Sequence, residues 1–171
     1  NGIFDPTLSL NTDPTYSRTG NSLKVDFIGN DGSVTDYAYA GFYLPRAVLK
    51  ESGFDTKVGT DTFAFDVYNA GPGNQRLMVA MTNDAGRVFF KYIYIQAPPN
   101  EWTTVEYSFT ELDRGWPDNL KDGQQKGDGA TAAGGGTAKV ASIYIHWDYF
   151  QTAAGNRTLY FDNFRYGEKV D

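Results

Sequence analysis

The stretch Thr158–Tyr166, TLYFDNFRY, decides how this chain is read. Its Leu, Tyr and Phe residues favour an extended strand, yet Asp162-Asn163 stands in the middle. Asp and Asn are poor strand formers. An acid in a half-buried strand needs a partner to offset its desolvation. The question is what Asp162 is paired with.

Working outward, apolar and polar residues alternate from one end of the chain to the other, broken by turn residues. This patterning predicts nine strands, at about 3–10, 22–28, 37–44, 62–69, 75–82, 87–97, 102–109, 140–150 and 158–166. Turn signals such as NAGPGN at 69–74 and AAGN at 153–156 separate them. Only 46–56 has the composition for a helical turn. So many strands with almost no helix predict an all-β fold, a two-sheet antiparallel sandwich of jelly-roll type. Segment 110–139 is different. It is Gly-rich and polar and carries Trp116, so it reads as a mobile insertion near a site or as plain disorder.

The 171 residues suffice for one domain, 1–171, with a sizeable core. Aromatic residues make up 16% of the chain and Cys is absent, so neither disulfides nor thiol chemistry is available. A net charge of −6 weighs against nucleic acid or an anionic membrane as partner. No apolar run is long enough for a membrane-spanning helix. No leader segment is visible, which reads as a mature or excised piece of a larger protein. Asn156-Arg157-Thr158 matches a glycosylation triplet, which is too short to carry weight.

Three stretches, in order, resemble the β-sandwich carbohydrate-binding modules. They are TGNSLKVDF at 19–27, EWTTVEYSFTEL at 101–112 and LYFDNFRYGE at 159–168. The resemblance spans most of the chain and resolves no single family. It implies a jelly roll, an extracellular setting, a glycan ligand and a structural calcium. By resemblance, Asp162 is a calcium ligand, with Asp5 as the completing acid and Asn21 in the turn that lends a carbonyl. Asp13 is the alternative acid. The competing reading is that Asp162 accepts backbone N–H bonds at a strand end. The matching strand of the family also assigns Trp102 to the core.

In such a jelly roll the third, eighth, fifth and sixth strands form one sheet, the usual concave face. The two-residue period then sorts its side chains. Phe42, Leu44, Leu77, Val79, Met81, Phe89, Ile93, Ile95, Ile143, Ile145 and Trp147 read as core. Tyr39, Tyr43, Arg76, Tyr92, Tyr94, Gln96, Tyr144, His146 and Asp148 fall in the opposite phase, with Trp116 as a loop contact or a packing anchor. Lys91 falls in the buried phase, a flaw that suggests a bulge. A Tyr-rich face with a few polar groups suits sugars, whose C–H patches stack on rings while their hydroxyls need donors and acceptors.

Catalytic signatures are weak. No carboxylate pair of glycosidase type is marked. His146 is the only histidine, which excludes a His-based zinc cluster. FFKYIYIQ and YIHW have a faint likeness to jelly-roll alginate lyases, but Lys91, Tyr94 and Gln96 are spaced too closely. The sequence therefore predicts a non-catalytic, monomeric module tethered to a catalytic domain. Its partner would be a polysaccharide, a β-glucan or xylan first and a uronate polymer second. The rival readings are a small polysaccharide lyase and a structural or adhesion sandwich of a bacterial surface protein.

Overall fold

A computed structural model describes residues 6–29, 39–45, 61–83, 88–90, 95–108, 114–116, 140–148 and 155–168, in some strands by their backbone alone. The strands are β1 (Thr7–Asn11), β2 (Ser22–Gly29), β3 (Tyr39–Pro45), β4 (Asp61–Asn69), β5 (Gln75–Asn83) and β6 (Val88–Phe90). They continue as β7 (Ile95–Ala97), β8 (Trp102–Ser108), β9 (Arg114–Trp116), β10 (Val140–Asp148) and β11 (Gly155–Glu168). One 3-10 turn, Pro14–Tyr16, is capped by Asp13, whose side chain accepts from the Thr15 N–H.

Two sheets result. The first has the order β1-β2-β11-β4-β8, and the second β3-β10-β5-β6-β9 with β7 also on β5. The expected pairing of the third, eighth, fifth and sixth strands is thus observed. All strand pairs are antiparallel. The sheets close on each other through large apolar residues that alternate with polar ones. Val25, Phe63, Phe65, Val67, Leu159 and Phe161 come from the first sheet, and Phe42, Leu77, Val79 and Ile145 from the second. Phe42 meets Phe161 edge-on at 5.1 Å, across the two layers. Each such side chain contributes about 1.5–3 kcal/mol by leaving water.

Two expectations need correction, while the sixth predicted strand, 87–97, is described only in part. Its two described pieces, β6 and β7, both pair with β5. From Ala80 to Leu77 β5 advances three residues, while the partner side advances five, from Phe90 to Ile95, and Lys91 lies outside the described residues. The segment 110–139 carries a strand, β9, which pairs with β6. Trp102 is not core. Val105 of β8 is buried, so the odd-spaced Trp102 lies on the outer side of the first sheet, half-buried against Tyr68 at 5.5 Å. The predicted helical turn at 46–56 lies outside the described residues.

The Asp-Asn pair marks a bulge. Between Asp162 and Arg165 β11 advances three residues while β4 advances two, from Asp66 to Ala64. Asn163 takes the left-handed conformation at φ 53°, which Asn tolerates better than most residues. The extra residue restores the inward phase to Phe164. Its ring stacks with Phe161 at 6.5 Å and Phe63 at 6.4 Å, and it tilts against Phe65 at 5.9 Å. Without the bulge, Phe161 and Phe164 would point to opposite faces.

At the other end of β11, Arg157 is 3% exposed and donates to the Pro72 carbonyl. A Cβ on Gly71 would lie 2.8 Å from the Arg157 Nη1, so a side chain at this corner would force Arg157 to shift.

Candidate functional site

Strand pairing sets the geometry of the second sheet. Phe42, Ile145 and Val79 form one buried row across β3, β10 and β5. The adjacent row, in the alternate phase, runs Tyr43, Tyr144, Ala80, Phe90, Arg114 across all five strands. A second row of that phase runs Pro45, Ser142, Thr82, Val88, Trp116. On the other side lie Gly41, His146 and Met78, then Tyr39 opposite Asp148. Arg76 pairs with Gln96, and Gln96 is exposed while Arg76 is half-buried. Five strands at about 4.8 Å spacing make a face roughly 19 Å wide.

The backbone therefore brings Tyr39, Tyr43, Arg76, Gln96, Trp116, Tyr144, His146 and Asp148 into one phase of one sheet. That phase alternates with the buried Phe42, Leu77, Val79 and Ile145. Tyr92 and Tyr94 lie outside the described residues. Sequence reasoning missed Arg114, because a three-residue strand inside a Gly-rich segment shows no periodicity.

A second cluster sits on the outer side of the first sheet, around Asp162 and Asp66, which pair directly across β11 and β4. The Asp162 Oδ2 accepts from the backbone N–H groups of Arg18 (2.5 Å) and Thr19 (3.0 Å) and lies 3.2 Å from the Ser17 hydroxyl. Its Oδ1 accepts from the Thr19 hydroxyl (3.1 Å) and the Asn163 N–H (2.6 Å). The loop that supplies these donors is itself fixed. Asn11 donates to the carbonyls of Asp13 and Tyr16, and the Tyr16 ring stacks on Tyr160 at 4.4 Å.

Asp66 is fully buried. It accepts from the Thr104 hydroxyl at 2.8 Å and the Asn163 amide at 3.0 Å. Arg18 and Arg165 approach it at 3.4 and 3.6 Å, and the Arg18 guanidinium lies 5.4 Å from the Trp102 ring centre.

Burial pushes both carboxyls up. For Asp162 the hydrogen bonds from Thr19, Arg18 and Asn163 outweigh it, and its pKa ends below the ordinary value. For Asp66 the Asn163 and Thr104 bonds, then the two guanidiniums, do the same. A depressed folded-state pKa stabilises the fold above the unfolded-state value and stops doing so as pH falls through the folded-state one. Stability in urea is expected to be flat from neutrality to about pH 5 and to decline below about pH 4. A urea-midpoint series across that range checks this; no decline in acid would contradict the pairing.

The expected calcium ligands fare as follows. Asp5 lies outside the described residues. Asn21 is exposed. Asp13 is committed to capping the 3-10 turn. The Gly20 carbonyl accepts from the Ser17 hydroxyl at 2.6 Å. Asp162 is surrounded by N–H and O–H donors, a set that suits an anion's oxygens and does not fit a cation among them. Among the described residues no three His, Cys, Asp or Glu side chains are grouped to hold a metal.

No family model matches the sequence, and no curated protein does. Solved structures do. The family 11 carbohydrate-binding module of the cellulosomal cellulase Lic26A-Cel5E of Clostridium thermocellum matches at TM-score 0.55 and 17% identity, over 97% of this chain and 84% of that one. The fold is that of the β-sandwich carbohydrate-binding modules. A second structure is a family 11 module from the same organism in complex with a β-1,3-1,4-mixed-linked tetrasaccharide. It matches at TM-score 0.52 and 18% identity over 93% and 81% of the two chains. An exo-β-agarase matches at TM-score 0.54 and 14% identity over 97% of this chain. This chain spans about a fifth of that enzyme, 22% of its length.

Proposed function

We propose that this chain is a non-catalytic carbohydrate-binding module that holds an extended polysaccharide on the outer face of its second sheet and targets an appended enzyme to it. The observation that carries the reading is the row Tyr43, Tyr144, Ala80, Phe90, Arg114, which alternates with the buried row Phe42, Ile145, Val79. Tyr39, His146, Asp148, Arg76, Gln96 and Trp116 share its phase and supply further rings and hydrogen-bonding groups, with Tyr92 and Tyr94 proposed to extend the face.

Rings bind pyranose faces through their C–H patches, and polar tips sort the hydroxyls. A face of this width takes several sugar units of a neutral β-glucan or xylan. Arg76 and Arg114 leave room for a uronate unit. The fold likeness to a family 11 module solved with a mixed-linkage tetrasaccharide supports a β-glucan first. The proposed setting is extracellular and the proposed state monomeric.

Affinity electrophoresis against β-glucans, xylans and uronate polymers tests this, with a parallel assay for reducing ends and unsaturated products. Retardation by at least one polymer without turnover is expected. Retardation by none would favour a structural or adhesion domain. Unsaturated products would favour the lyase.

A further inference from the structure

We infer that in this chain hydrogen-bond donors from the 17–19 loop occupy Asp162 in place of a structural cation, so that the fold closes without calcium. A carboxylate offers about four lone-pair positions. Four donors are committed to Asp162, namely the N–H groups of Arg18, Thr19 and Asn163 and the Thr19 hydroxyl. The Ser17 hydroxyl is a shared fifth, 2.6 Å from the Gly20 carbonyl and 3.2 Å from Oδ2. The acceptor capacity is full.

Calcium takes ~6–8 oxygen ligands at about 2.3–2.6 Å. To reach Asp162 it would have to displace positively polarised hydrogens that already neutralise the charge. The next acid on the same face, Asp66, is equally committed, to Thr104, Asn163, Arg18 and Arg165. The two acids thus hold four parts of the chain together. The 17–19 loop reaches β11 through Asp162, and β4 and β8 join through Asp66 and Thr104. In a module that closes on a cation, the ion makes this tie. Here the tie is covalently part of the chain and does not depend on the ion's concentration.

The test is thermal melting of the full chain in chelator and in excess calcium, for the wild type and for Asp162→Asn, with calorimetric titration of calcium into the wild type. The wild type is expected to melt at the same temperature in both and to give no binding heat. Asp162→Asn is expected to melt lower by the same amount in both, because the amide presents an N–H₂ group to donors. A site saturated a hundredfold above its Kd would raise the melting temperature by on the order of 5–10 °C. Such a rise, absent in the Asp162→Asn variant, would overturn the inference. A rise of equal size in both proteins would place a stabilising ion elsewhere and overturn closure without calcium. If the variant does not fold, the wild-type titration decides alone: no heat supports the clamp, and a saturable heat that quenches with chelator overturns it.

Discussion

Tyr144→Ala is expected to weaken binding to the retarding polysaccharide by roughly ten- to a hundredfold while leaving the melting temperature nearly unchanged. Position 144 lies on β10, inside the edge of the candidate face, paired on one side with Tyr43 and on the other with Ala80. Central aromatic anchors carry most of the energy of a binding face, and truncating one costs about 1.4–2.8 kcal/mol, one to two decades in Kd. Tyr43→Ala, one strand nearer the edge, is expected to act in the same direction and less strongly. Trp102→Ala is the matched control. Its ring lies on the outer side of the other sheet, against Tyr68 and Arg18. It is expected to lower stability and spare binding. The reverse pattern, with binding lost at Trp102 and kept at Tyr144, would move the glycan to the first sheet. Isothermal titration with the retarding polymer and a thermal melt of each variant separate the two.

The same contrast shows what the sequence makes legible. Alternation locates a strand well when it is long and has one wet face, as in β2, β4, β5 and β10. It sets the phase of Phe42, Leu77, Val79 and Ile145 correctly, because a one-residue slip would bury polar groups along the whole strand. It fails where a strand is too short to alternate, as in Arg114–Trp116. Trp102 was misplaced for a different reason. The family likeness put it in the core, while its own strand did not. Val105 is inward, three positions away, and odd spacing sends Trp102 outward.

The partner of Asp162 is a question of another kind. TLYFDNFRY itself holds only one of the donors, the Asn163 N–H; the others come from Arg18 and Thr19, more than 140 positions earlier in the chain. The likeness supplied a plausible answer, a cation. The geometry supplies another that meets the same electrostatic need. A buried acid in a strand requires positive charge or donors, and either will serve. Asn163 makes the second solution possible. Its left-handed backbone turns its N–H back onto Asp162 at 2.6 Å, while its amide reaches Asp66 at 3.0 Å.

Asp66 is therefore the position at which the fold is most exposed to a single change. Asp66→Ala is expected to cost about 3 kcal/mol and to lower the melting temperature by roughly 6–12 °C. The side chain is 1% exposed and central to β4, between β11 and β8. Removing it leaves the guanidiniums of Arg18 and Arg165 without the carboxylate that both approach. The Thr104 hydroxyl and the Asn163 amide lose an acceptor in the same step. The cost falls toward the lower end of the range for breaking a buried pair, because both arginines keep about two-fifths of their side chains in water. For that reason Arg18→Ala alone is expected to cost no more than about 1 kcal/mol, its ion-pair contribution being largely screened. Urea unfolding of the two single variants and the double variant measures the coupling. A loss below about 1 kcal/mol at Asp66 would mean that the bulge and the Phe161–Phe164 stack hold the strands in place without it.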